Sequence, residues 1–119
     1  MNPTPAHQPI LDYLQTVLTT YVRLPQTPAK HRPQDRSLAL QLYQRGIPLA
    51  AVEGALLLAA ARRSTRPPEV PPLAPIRSLY YFLPVLEEVL QTPMASDYII
   101  YLRSKVLLKN ADSKPNATT

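Results

Sequence analysis

The chain of 119 residues carries 15 prolines, two glycines and no cysteine, and its formal net charge is +5. That length suits one domain with one core, and the lack of cysteine excludes a disulfide framework and thiol chemistry. Prolines this dense, set between apolar periodic segments, favour short helices joined by stiff connectors over sheets joined by hairpins. The expected fold class is therefore all-α: a compact bundle of five or six short helices around a buried central helix, with proline-rich connectors.

Residues 1–8 are polar and proline-rich, expected to be a flexible lead-in. They have neither the basic start nor the apolar stretch of a secretory signal, so the expected location is the cytoplasm. A single helical domain then spans residues 9–109. Its first helix, from Pro9 to Leu24, places Ile10, Leu11, Tyr13, Leu14, Val17, Leu18, Tyr21 and Val22 on one broad face; Asp12, Gln15, Thr16, Thr19, Thr20 and Arg23 take the other. Pro25 ends it by disfavouring helical geometry in the residue before it. A connector over residues 25–33 follows with a basic cluster of Lys30, His31 and Arg32. His31 has no second ligand at metal spacing, so no metal site is expected.

A second helix over residues 35–45 turns Leu38, Ala39 and Leu42 inward, with Asp35 complementing its positive end. Gly46 supplies the left-handed residue that closes it. Pro48 fits the first turn of the next helix, over residues 48–63. There, Leu49, Val52, Leu56, Ala59 and Ala60 share one face, Glu53, Gly54, Leu57 and Ala61 the other, and Glu53 is the only charge before Arg62. A helix this apolar all round belongs at the centre of a domain, and it is too short to span a membrane. No membrane partner is expected.

Residues 64–75 form a stiff polyproline spacer. Pro72, Pro75 and Arg77 fit the PxxPxR pattern that SH3 domains read, although a structural strut explains the same prolines. A fourth helical region over residues 76–91 directs Ile76, Leu79, Leu83, Leu86 and Leu90 inward and should break at Pro84. Glu87 and Glu88, adjacent in sequence, project apart and are no shared-proton pair. A last helix over residues 97–109, opened by Ser96 and Asp97, buries Tyr98, Ile99, Leu102 and Val106. It leaves Ile100 and Leu107 beside Arg103 on the opposite side, a candidate partner surface. Residues 110–119 read as a disordered tail.

No glycine-rich phosphate loop, Ser/His/Asp set or metal cluster is present, so a non-enzymatic protein without cofactor is expected. Function then rests on charge. Residues 23–77 hold most of the cations, chiefly arginine, but only Asp35, Glu53 and Glu69 as acids. The planar guanidinium suits phosphate, which makes Arg36, Arg45, Arg62, Arg63, Arg66 and Arg77 the candidate nucleic-acid contacts. Seven tyrosines accompany one phenylalanine. Most are expected at the core or its rim, with Tyr81 the exposed exception, able to stack on unpaired bases.

The spacing of Leu42, Gly46, Ile47, Pro48, Val52 and Leu56 resembles the centre of the helix-turn-helix DNA-binding motif over about 15 residues. The resemblance implies a first helix across the DNA backbone and a second in the major groove. Two departures stand out: Leu42 is large where that family commonly has alanine, and Leu49, Ala50, Ala51 and Glu53 offer base edges few hydrogen-bonding groups. Phosphate contacts with little base readout follow. The run 46–89 is also similar to bacterial proteins associated with replication or mobile elements. Two functions remain open: an accessory nucleic-acid-binding module, or a protein-binding adaptor or homo-oligomerising domain whose basic surface is incidental.

Overall fold

The computed structural model describes residues 8–108, so residues 1–7 of the expected flexible segment 1–8 and the tail 110–119 lie outside the described residues, while Gln8 opens the first helix instead of belonging to the lead-in. Within them the chain is all-α, as expected. The helices are α1 (Gln8–Arg23), α2 (Pro33–Gln44), α3 (Leu49–Ser64), α4 (Leu83–Gln91) and α5 (Ser96–Arg103). A 3-10 turn at Leu79–Phe82 precedes α4, and a π turn at Ser104–Leu108 continues α5.

The buried arc of α1 is centred on Val17 and runs through Tyr13, Leu14, Leu18, Thr20 and Tyr21. At about 100° per residue, Leu11 falls past one edge of this arc and is 47% exposed, while Thr20 falls inside the other edge. Both are displaced from the expected face. The last turn of α1 is closed by Thr27, whose hydroxyl reaches the carbonyls of Tyr21 (2.8 Å) and Leu24 (2.7 Å). Tyr21 O also accepts from the Leu24 N–H (3.2 Å), and the threonine adds a side-chain donor where a helix leaves its last carbonyls short of partners, a capping role.

α2 begins two residues earlier than the sequence pattern indicates, because Pro33 occupies the first turn, where its missing N–H costs nothing. Asp35 is completely buried. One of its oxygens accepts from the Arg32 N–H (2.8 Å) and the other from the Leu79 N–H (2.9 Å). At the far end Gly46 adopts φ +77°; its N–H bonds to Tyr43 O and that of Ile47 to Leu42 O. These paired bonds form a Schellman closure, the turn that Gly46 predicts. Pro48 is not inside the next helix but caps it, with an extended ψ of 139° and a carbonyl that accepts the first helical bonds from Ala51 and Val52.

α3 is the centre of the molecule. It packs against α1, α4 and α5, which is why Gly54, Leu57 and Ala61 are buried along with Val52, Leu56 and Ala60 on the opposite side. At Gly54 the helix lacks a side chain, and Met94 and Ile99 close on that spot from the α4–α5 connector and α5. α2 leans on α1 and on the 3-10 turn rather than along α3.

The fourth helical region is shorter than its sequence pattern. Residues 71–77 have no regular secondary structure and Ser78 is extended, with φ −154° and ψ 163°, because Asp35 takes the Leu79 N–H that a longer helix would use. The break expected at Pro84 falls just before it, and the proline sits in the first turn of α4. In α5, Ala95 occupies the capping position without any side-chain cap, not the Ser96 and Asp97 pair. Tyr98, expected inside, is 44% exposed.

Candidate functional site

Two contacts fix the relative direction of α1 and α3. The Tyr13 hydroxyl donates to Ile47 O (2.8 Å) just before α3 begins, and Arg63 near the end of α3 reaches Gln26 just beyond α1. The helices therefore run side by side with their C-termini together. α2 runs the other way beside α1, as the edge-on pair of Tyr13 and Tyr43 shows (5.2 Å between centroids). One end of the molecule thus gathers the C-termini of α1 and α3, the N-terminus of α2 and both proline-rich connectors. Arg63 and Arg66 lie there.

Arg63 is the organiser of this end. Its guanidinium donates to the Gln26 side-chain oxygen, to Ala74 O (2.7 Å) and to the Tyr81 hydroxyl (3.1 Å), and lies 5.4 Å from the Tyr81 ring centroid. Gln26 is bound at its backbone as well: its carbonyl accepts from the Ile76 N–H (2.8 Å), and the residue adopts a left-handed φ of 65°. Such a conformation is uncommon in a residue other than glycine and needs tertiary contacts to hold it. Arg66 donates to Pro71 O (2.9 Å). Between them, Arg63, Arg66, Gln26, Val70, Pro72 and Leu73 line a groove under the spacer.

The electrostatic consequence separates these arginines from others. Gln26, Ala74, Tyr81 and Pro71 are neutral acceptors, so Arg63 and Arg66 are held in position without an ion pair among the described residues. Arg62 differs: both its terminal nitrogens engage Glu88, at 3.0 and 2.9 Å, and this hydrogen bonding holds the Glu88 carboxyl below its ordinary range. The pair is solvent-exposed and contributes little to stability. Arg77 stands exposed between the two anchored residues Ile76 and Leu79, with no acidic partner among the described residues. Arg36 flanks a second groove with His31, Gln15 and Thr19 along α1. Arg45 lies at the opposite end, closing α2. The six arginines singled out from the sequence therefore do not form one surface: Arg63 and Arg66 line one groove, Arg77 follows Ile76, which bonds to Gln26 at the same end, Arg62 adjoins Arg63 in an ion pair, Arg36 lies on a flank, and Arg45 is remote.

The candidate partner surface on α5 is corrected in two places. Leu107 is 3% exposed, because the wider winding of the π turn swings it off the ridge of Ile100 and toward that of Leu102 and Val106. Arg103 pairs with Glu53 of α3 at 3.3 Å. Ile100 alone of the three keeps its expected place, 63% exposed, beside Tyr98 and Tyr101, whose rings stack at 6.0 Å.

Tyr81 is exposed, as expected, but so are Tyr80, Tyr98 and Tyr101, since the 3-10 turn and α5 are surface elements. The sequence gives no sign of Gln26, a polar residue between prolines with nothing to mark its part in positioning Arg63. Among the described residues no group of three His, Cys, Asp or Glu could hold a metal ion, and no helix is long and apolar enough to cross a membrane. The fold and this end together define a small all-α domain with a preorganised, arginine-rich groove. No family model, curated protein or solved structure matches the chain.

Proposed function

We propose that this domain is a non-enzymatic accessory module that binds nucleic acid at its arginine-rich end, contacting phosphates with little base readout. The observation that supports this reading is that Arg63 and Arg66 are each fixed by neutral oxygen acceptors and are in no ion pair among the described residues, with Arg77 exposed just beyond the spacer. A guanidinium already held in place loses little freedom on meeting a phosphate. The helix-turn-helix-like passage from α2 to α3 serves here as scaffold. The first turn of α3 presents Ala50 to solvent, a side chain with no hydrogen-bonding group for a base edge. A replication or mobile-element role is compatible with such a module.

The test is binding of labelled DNA by fluorescence anisotropy over a salt series. Affinity falls steeply as salt rises. Replacing Arg66 and Arg77 together by alanine weakens binding and flattens the salt dependence by about one unit of slope per lost phosphate contact. Arg45→Ala, at the other end, leaves both unchanged. A second reading, a protein-binding adaptor, is favoured by the exposed cluster of Tyr98, Ile100 and Tyr101 on α5. It gains the argument if no nucleic acid is retained at low salt.

A further inference from the structure

Resting on that reading, we propose that the arginine-rich end takes single-stranded rather than duplex nucleic acid, with Tyr80 and Tyr81 as the platforms on which unpaired bases stack. Both rings are on the 3-10 turn, 45% and 41% exposed, and project about 120° apart around it, so each offers its own face to a separate base. Tyr81 is immobilised from beneath: its hydroxyl accepts from Arg63, the same guanidinium lies over its ring, and Phe82 packs edge-on against it at 5.2 Å. The turn itself is pinned at both ends, by Asp35 holding the Leu79 N–H and by Phe82 meeting Tyr21 in the core at 6.0 Å.

The charge around the rings fits the same ligand. Arg63 and Arg66 line a groove that Arg63 joins to Tyr81, and Arg77 precedes the turn, so a backbone following the groove meets positive charge next to the turn that carries both rings. Every base has a π face, so stacking combined with phosphate contact recognises an unpaired strand with little regard to sequence. A duplex keeps its bases stacked on one another and offers these rings nothing. The Tyr80 carbonyl accepts from the Leu83 N–H, but its ring and hydroxyl make no aromatic or hydrogen-bond contact among the described residues, which leaves the ring free to take a base.

The experiment compares a fluorescein-labelled oligothymidylate with a mixed-sequence duplex of equal length, at low salt, using the full chain. The wild-type protein binds the single strand more tightly. Tyr80→Ala weakens single-strand binding at least about fivefold, as expected for the loss of one stacked base, and leaves the salt slope and duplex binding unchanged. Tyr81→Ala also weakens single-strand binding, but because Tyr81 helps to hold Arg63 it lowers duplex binding as well, so Tyr80→Ala decides the matter. Equal binding of the two nucleic acids, or a Tyr80→Ala protein with undiminished single-strand affinity, overturns the stacking inference while leaving phosphate binding intact. Failure to bind either overturns both.

Discussion

Asp35 shows how much one buried side chain can position. Its carboxyl group spans a local contact, the start of α2, and a distant one, the start of the 3-10 turn that carries Tyr80 and Tyr81. Replacement by alanine strands a buried N–H at Leu79 and removes the cap of α2. The expected cost is about 2 to 4 kcal/mol, read as a lowered urea midpoint with unchanged slope; a loss below about 0.5 kcal/mol would remove Asp35 from this role. The sequence placed Asp35 correctly at a helix start, since acidic residues suit that position. Its partner was not legible: Leu79 lies far along the chain, and a backbone N–H leaves no mark in a sequence. The same holds for Arg63. Its charge was visible, but the neutral oxygens that fix it, from Gln26 and Ala74, carry no pattern.

At the scale of elements, what could be read was what local chemistry decides. The Gly46 closure, the burial of α3 and the interruption near Pro84 follow from residues whose backbone preferences are strong. The exposure of Tyr98, the π turn and the burial of Leu107 depend on how α5 sits on α3, and helical periodicity alone cannot give that. Gly54 is where this docking is set. A Cβ there would stand 3.2 Å from the Met94 sulfur and 3.7 Å from Ile99 Cδ1. Alanine gains about 1 kcal/mol of helix propensity, and the flexible methionine end can shift, so Gly54→Ala is expected to be near neutral. Gly54→Leu has no such room and must push Met94 and Ile99 away, at a net cost of about 1 to 3 kcal/mol. Denaturant melts of the two variants test this. Equal stability for alanine and leucine would mean that α5 does not depend on close approach at this position.

At the scale of the whole molecule, the core that joins the helices also sets its response to alkali. Burial pushes the Tyr13 hydroxyl up to about 12. Tyr21 also rises to about 12, first through burial and then through the nearby Asp35, with Arg32 opposing. Both side chains are almost wholly covered, Tyr13 among α1, α2 and the turn before α3, and Tyr21 against Phe82. Below pH 10 each is neutral whether the chain is folded or not, and neither contributes a pH dependence. Between pH 10 and about 12 the unfolded chain releases these protons while the folded one keeps them, so stability falls as pH rises, by about 1.4 kcal/mol per pH unit for each tyrosine. Tyr21→Phe should remove one such contribution from the alkaline slope. At neutral pH it should cost nothing measurable, since the Tyr21 hydroxyl is buried without a hydrogen-bond partner among the described residues. Tyr13→Phe also flattens the slope, but sacrifices the bond to Ile47 O and about 1 kcal/mol with it. Urea titrations of the three proteins at pH 7 and pH 11 separate these effects. Parallel pH dependence in all three would show that the two phenols are open to solvent, and that the core which aligns α1 with α3, and so assembles the arginine-rich end, is looser than their burial implies.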